Sequence, residues 1–476
     1  MINQLGEIIR LIVVISAGFT YDLIYQNLLG FFGILFGLLC WAASSFIFGK
    51  WKQFGIWTLI GVSLIVGAWR IAEFPVTIHD DESIKYSKHS ARHTKPSPKV
   101  YLTDGQSWFD NYKPFSVASM EDIKDPPYLR CFWNKRIRHK ARPRVNIPVV
   151  CQMHYIATKI FGNDYRAYRM SSVMIGAVCV LIFFLFLRNM FGYYIALAGG
   201  YMMALAPWHL ALSRIHLPYI ATNMYVVMCL YIFWIALKRP ALFLILGVMI
   251  GFSVPMYSSI KVVYYIIPIY MIYALIWNKW PRKNIIIGFI LLVVIAYPLF
   301  SIQGGLPSVY GYPQCVGYNF TWEAPINTLT AVYSFSWHKF TTFSKRNYIE
   351  LGLRFSPWVT GLALLGMLVC VNKIKDKRSI FLLLWMGTAL APDACTLIQH
   401  TSRRTTQVIA PMIALSVYGL IFLRGKLKKV IVIILIALSF YGMYIGYFKM
   451  YENLILNNKG YAARYEAKMT FINKEN

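Results

Sequence analysis

The sequence predicts an all-α polytopic membrane protein, with about 11 to 13 transmembrane helices and a long first extracytoplasmic loop carrying short interfacial helices. Three observations predict it. Of 476 residues, 58% are hydrophobic and only 14% are charged, where a water-facing domain carries about 25% charged residues. Runs at 168–187, 217–237, 284–300, 354–371, 405–423 and 428–448 each approach the ~20 residues that cross a ~30 Å hydrocarbon core. Lys and Arg recur in alternate short connections between such runs. A large soluble protein with buried helices would not show this charge deficit. The net charge of +29 is spread over many connections rather than gathered in one compact basic domain, which argues against nucleic acid as a partner.

The elements follow in order. The N-terminal stretch MINQLGEIIRLIVVISAGFTYDLIYQNLLG lacks the basic n-region of a signal peptide and reads as a retained helix. Spans are expected at 8–25, 28–48, 53–72, 168–188, 192–208, 217–237, 240–257, 261–277, 284–302, 354–371, 379–396, 405–423 and 428–448. Alternate connections hold Lys50 and Lys52; Arg188; Lys238 and Arg239; Lys279, Arg282 and Lys283; Lys373, Lys375, Lys377 and Arg378; and Arg424, Lys426, Lys428 and Lys429. All six fall on one side, which the positive-inside rule makes cytoplasmic. The chain then divides into additional N-terminal helices (1–52), a core membrane region (53–302) including the first outer loop (73–167), a second outer loop (303–350), C-terminal helices (351–448) and an outer tail (449–476). Within the first outer loop, PVVCQMHYIATKIF (148–161) is amphipathic enough to lie along the interface. Cys40, Cys179, Cys229 and Cys370 sit in apolar runs, as small hydrophobes do. Cys131 and Cys151 share the first outer loop and would suit a disulfide if it meets an oxidising compartment.

The chemistry-bearing residues collect on the outer side. HDDE (79–82) follows the span 53–72 and places three consecutive carboxylates, Asp80, Asp81 and Glu82, where the chain leaves the membrane. Such a tract is either a solvated helix end or a general base or metal ligand at head-group level. Arg169, Arg214, Lys261, Arg403 and Arg404 are expected at the same rim. Each reads as a snorkelling rim residue or as a phosphate ligand, since cations at membrane depth are expensive and commonly functional. Arg suits bidentate phosphate binding and Lys acts as a point charge. Arg403 and Arg404 also abut a helix start, where backbone N–H groups favour an anion. The first outer loop holds 16 Lys and Arg against 10 Asp and Glu, an excess that suits anionic head groups or an anionic acceptor. It also holds His79, His89, His93, His139 and His154, without the spacing of a metal site. No cofactor is expected, and a divalent metal has no support from spacing. No Gly-rich nucleotide loop is visible, which fits a lipid donor better than a nucleotide one.

An Asp-Glu emerging at the start of the first long outer loop resembles the signature of the C-type glycosyltransferases, which use lipid-phosphate-linked sugars. The resemblance continues in chain order. NIPVVCQMHYIATKIFGNDYRAYRMSSVMIGAV (146–178) is similar to the family's Pro-led interfacial helix, ending in Phe-Gly before an Arg-containing helix start. RNMFGYYIALAGGYMMALAPWHLALSRIHLP (188–218) resembles the two next segments, ending in a Ser-Arg helix cap. HTSRRTTQVIAPMIALSVYG (400–419) resembles the late His-x-x-x-Arg segment. Family 39, with the protein O-mannosyltransferases and the lipid A aminoarabinose transferase, is the nearest subgroup, carried by the Arg169 segment. HDDE also resembles the His-Pro-Asp-Glu of family 22. Where many relatives have an acidic residue after Ser-Arg, this chain has Tyr219 nearby. Residues 85–145 match no known pattern, and no β-trefoil insert is present.

The resemblance implies a GT-C fold in a bacterial inner membrane, with the site facing the periplasm or exterior. It implies inverting transfer from a polyprenyl-phosphate sugar to a hydroxyl of a lipid, glycan or protein. Asp81 would be the base, Asp80 its rival, and Glu82 an orienting group. Lys261, Arg403, Arg404, Arg214 and Arg169 would hold the donor phosphate. A transporter or flippase for a lipid-linked sugar is one alternative, and would show paired repeats and broken helices at the bilayer midplane. A non-catalytic membrane scaffold is another, and would not need carboxylates facing cations.

Overall fold

The computed structural model describes residues 51–69, 71, 165–215, 218–251, 253, 258–277, 280–302, 356–394, 406–423, 425–449 and 452. The expected spans 8–25 and 28–48, most of the first outer loop with the 148–161 helix, the second outer loop and nearly all of the tail lie outside the described residues.

Among the described residues there is no strand. The helices are α1 (Trp51–Ala68), α2 (Tyr165–Phe191), α3 (Tyr193–Ala204), α4 (Pro207–Ser213), α5 (Pro218–Ala236), α6 (Leu242–Gly251), α7 (Lys261–Ile276), α8 (Arg282–Ile302), α9 (Pro357–Asn372), α10 (Lys377–Ala394), α11 (Ile409–Tyr418) and α12 (Gly425–Met443). One-turn 3₁₀ segments, Ser258–Ile260 and Thr406–Val408, lead into α7 and α11, and a π-helical turn, Tyr444–Lys449, ends α12. Among the described residues α1, α2, α5 and α12 with its π-turn are each long and apolar enough to cross a bilayer, and α3 with α4 forms a bent apolar pair. Shorter apolar helices fill in between.

The apolar residues divide as they must in lipid. One set closes the interior: Phe183, Phe184, Phe186 and Leu187 of α2 are fully buried among Trp385, Tyr270 and Tyr418 of neighbouring helices. Another set faces outward. On α8, Ile290, Val293, Val294 and Tyr297 recur at i, i+3, i+4 and i+7 and all are exposed, Val294 to 61%. Ile433 of α12 is 66% exposed. In water such stripes would be a liability; in a bilayer they are the ordinary lipid-facing surface. With no hydrophobic drive between helices in lipid, close approach relies on small residues. A Cβ on Gly366 of α9 would run into the Leu415 backbone carbonyl of α11, and one on Gly67 of α1 would meet Val173 of α2 at 2.6 Å.

Among the described residues most expected and observed helices overlap closely; the span expected at 240–257 is helical only over Leu242–Gly251, and the one at 192–208 is broken. That span is bent by 60° between α3 and α4. Pro207 opens α4, and Ala206 before it is extended (φ −64°, ψ 125°), as a residue preceding proline prefers. The bend carries α4 back into the bundle, where all seven of its residues are buried.

The described parts of the basic connections gather at one end. The Tyr193 hydroxyl donates to the Lys52 carbonyl (3.0 Å), and Asn189 Nδ2 to the Tyr231 hydroxyl (3.4 Å). Lys373 lies over the Phe422 ring, Lys429 over Tyr194 and Lys377 over Trp280, at 4.9, 5.6 and 4.2 Å. Burial, with Lys238 and Arg378 nearby, holds the Lys377 ammonium below the usual lysine range, and Asp376 opposes that shift. Asp376 also accepts the Arg378 backbone N–H (3.0 Å), capping α10. Alternating passes then bring the α1 exit and the starts of α2, α5, α7, α9 and α11 to the opposite end.

Candidate functional site

Two constructions stand at that opposite end. The first surrounds the last turn of α1, from which the chain runs on to Asp80. The final carbonyls of a helix have no intrahelical donor. Arg214 Nη1 donates to the carbonyls of Val66 and Gly67 (3.0 and 3.1 Å), and Arg169 Nη1 to that of Ile71 (3.2 Å). Both arginines are fully buried. Arg214 reaches this place because it follows α4 at the end of the bent pair. Its guanidinium also faces the Tyr447 and Phe448 rings, 5.6 and 5.4 Å from their centroids, and the Phe448 ring packs tilted against Trp69 with centroids 4.5 Å apart. The cations sit at the negative end of the α1 dipole, where their charge is favoured.

Arg169 and Arg214, expected at the outer rim, are buried at that end of the bundle, Arg214 on the last carbonyls of α1 and Arg169 on the Ile71 carbonyl just beyond it. The physical reason is that orphaned carbonyls in a low-dielectric interior are the strongest available acceptors. Just beneath them, His209 and Ser213 of α4 face Gly176 of α2, with His209 Nε2 3.6 Å from where a Cβ would stand. His209 is buried, and the Ser213 hydroxyl donates to its carbonyl (2.8 Å).

The second construction joins the starts of α7 and α11. Gln407 Nε2 donates to Ser259 Oγ at 3.1 Å, and both residues are buried. The bond ties the two 3₁₀ turns together, and α5 packs against both. α10 closes the α11 turn from another side. Lys261 is the first residue of α7. Arg403 and Arg404 immediately precede the Thr406 turn in sequence and lie outside the described residues, as do Asp80, Asp81 and Glu82. The structure therefore brings the α7 start bearing Lys261 next to the turn that Arg403 and Arg404 enter. Paired helix starts present unsatisfied N–H groups and positive dipole ends, a setting for an anion.

Sequence reasoning missed the neutral polar residues here. Thr406 and Asn223 are buried, and among the described residues neither the Thr406 hydroxyl nor either end of the Asn223 amide meets a hydrogen-bond partner. Their signal was present: Asn223 in YIATNMYVV, Ser259 in YSSIKVV and Gln407 in TTQVIAP each interrupt an apolar run. Unsatisfied polar groups at membrane depth are expensive and usually have a use. Among the described residues no three His, Cys, Asp or Glu side chains gather in a metal-binding group. Cys179, Cys229 and Cys370 are free and buried, as their apolar settings predict.

No curated protein matches the chain. Among solved structures, ArnT from Cupriavidus metallidurans bound to undecaprenyl phosphate is similar at 10% identity and a TM-score of 0.43, over 68% of this chain and 64% of that one. The same protein in its apo state matches at 11% identity and a TM-score of 0.40, over 58% and 49%. The Archaeoglobus fulgidus oligosaccharyltransferase, tethered to an acceptor peptide, matches at 15% identity and a TM-score of 0.39, over 63% and 46%. The chain spans between about half and two thirds of the length of these solved chains. Residues 142–302 match the family model of dolichyl-phosphate-mannose-protein mannosyltransferases. That match covers about a third of the chain, runs from the end of the first outer loop through α8, and takes in Arg169, Arg214 and Lys261.

Proposed function

We propose that this protein is an integral-membrane glycosyltransferase that moves a sugar from a polyprenyl-phosphate donor to an acceptor hydroxyl. The observation that carries the proposal is the family match over residues 142–302, whose described part includes the α7 start beside the turn that Arg403 and Arg404 enter. Those helix starts suit a phosphate. Lys261, Arg403 and Arg404 hold the donor phosphate there. Arg169 and Arg214 act one step back, fixing the end of α1 and with it the place where the carboxylate tract begins.

The reaction is an inverting displacement. Asp81 takes the proton of the acceptor hydroxyl as its oxygen bonds to the anomeric carbon. The anomeric carbon–oxygen bond to the phosphate breaks, and the electron pair leaves with the polyprenyl phosphate. Cations and helix-start N–H groups stabilise the charge that develops on the leaving oxygen. Glu82 orients the acceptor. The site faces the side opposite the basic connections, which the positive-inside rule makes the extracytoplasmic face. The acceptor is a lipid, glycan or protein hydroxyl.

Asp81→Asn tests the base. The change is nearly isosteric and removes the proton-accepting charge, so transfer should fall by about 10²- to 10⁴-fold. Donor binding, followed separately, should persist. Asp80→Asn should be milder. Full activity in Asp81→Asn with inactivity in Asp80→Asn would move the base by one residue; full activity in both would remove the carboxylate mechanism.

A further inference from the structure

At the basic end, far along the helix axes from the proposed transfer site, α1, α3 and α12 part to leave a groove of about 590 Å³. Lys52, Tyr194 and Lys429 line it near the helix starts, and Val62, Tyr201 and Phe440 line it deeper in. Two contacts shape it. The Tyr193 hydroxyl on the Lys52 carbonyl (3.0 Å) pins the start of α1 to α3. The Tyr201 hydroxyl donates to Thr58 Oγ1 (2.9 Å), which satisfies these polar groups within the groove and leaves its remaining wall apolar.

The length of the groove identifies its occupant. From Trp51 to Val62, α1 rises about 16 Å at 1.5 Å per residue. That is one leaflet of a ~30 Å hydrocarbon core. A transmembrane helix from another protein would need a furrow about twice as deep, whereas an acyl chain needs this one. The mouth carries two exposed lysines, with Lys429 over the Tyr194 ring at 5.6 Å, and Trp51 beside them. Aromatic residues and snorkelling lysines mark the head-group level of a membrane. Among the described residues no acidic side chain lines the groove, and the charges that do are of one sign.

We propose that this groove seats one glycerophospholipid with an anionic head group. An acyl chain lies between α1, α3 and α12, and the lipid phosphate is level with Lys52 and Lys429. The assignment does not depend on the transferase reading, since the groove and the helix starts near Lys261 lie at opposite ends of the bundle.

Native mass spectrometry of the full-length protein tests it. Detergent-purified protein is incubated with equimolar phosphatidylglycerol and phosphatidylcholine of identical acyl chains. The wild-type chain should retain one phosphatidylglycerol in preference to phosphatidylcholine. The Lys52→Ala/Lys429→Ala double variant should lose that preference by about tenfold or more, from roughly fivefold per lysine at an anionic head group. Raised salt should weaken it in the same direction. Val62→Trp, which fills the inner groove, should reduce retention of both lipids. Equal retention of the two lipids by wild type, retention of neither, or an undiminished preference in the double variant would each overturn the assignment.

Discussion

A guanidinium sealed inside a membrane bundle is costly unless its donors are used. Arg214 places an N–H group on the Val66 and Gly67 carbonyls of α1, and Arg169 places one on the Ile71 carbonyl just beyond the end of that helix. In the proposed reaction the donor phosphate is held by Lys261, Arg403 and Arg404. Lys261→Ala and Arg404→Ala should each lower kcat/KM for a polyprenyl-phosphate sugar by roughly 10- to 100-fold, the cost of a hydrogen bond to a charged group, at unchanged expression. Wild-type donor kinetics in both variants would place the phosphate elsewhere. The cations themselves were legible in the sequence, because a charge beside an apolar run stands out. Their partners were not. Arg169 and Arg214 bond to backbone carbonyls, which every residue carries, so no side-chain pattern announces them. Gln407 and Ser259 are separated by well over a hundred positions, and only the packing of two helix starts against α5 makes them meet.

At the scale of elements, most helices were legible because their ends are marked twice, by loss of apolar character and by Lys, Arg, Gly or Pro. The bent α3–α4 pair escaped because Pro207 sits inside a continuous apolar stretch, and its effect depends on α4 finding buried partners. Helix-to-helix distances were not legible either, since they depend on which glycine faces which backbone. Gly366 and Gly361, both on α9, separate these cases. A Cβ at Gly366 collides with the Leu415 carbonyl, while one at Gly361 meets nothing within 4 Å. Gly366→Ala should therefore destabilise the protein by about 1–3 kcal/mol through overpacking, and Gly361→Ala should be neutral or mildly stabilising. Thermal unfolding in detergent reads both; equal effects would mean that α9 and α11 do not pack as described.

At the scale of the molecule, the gathering of the basic connections at one end gives the bundle a direction. The positive-inside rule predicts that this end is cytoplasmic, and the proposed function then expects the carboxylate tract outside. Single cysteines at position 90, in the first outer loop, and at position 375, in the basic connection after α9, should label from opposite sides of sealed vesicles when native cysteines are blocked. Labelling of both from one side would reverse the argument that places the site outside. The ordered segments resemble those of the C-type glycosyltransferases, and residues 142–302 match the family model of dolichyl-phosphate-mannose-protein mannosyltransferases.

The central claim is that the sugar is transferred and not carried. Purified protein in proteoliposomes, supplied with a polyprenyl-phosphate sugar labelled in the sugar and with candidate acceptors, gives the most direct measurement. The mechanism predicts one equivalent of free polyprenyl phosphate for each sugar transferred, inversion at the anomeric carbon in the product, and loss of both in Asp81→Asn. An intact donor that only changes leaflet, or remains unused in the presence of every class of acceptor hydroxyl, would contradict it.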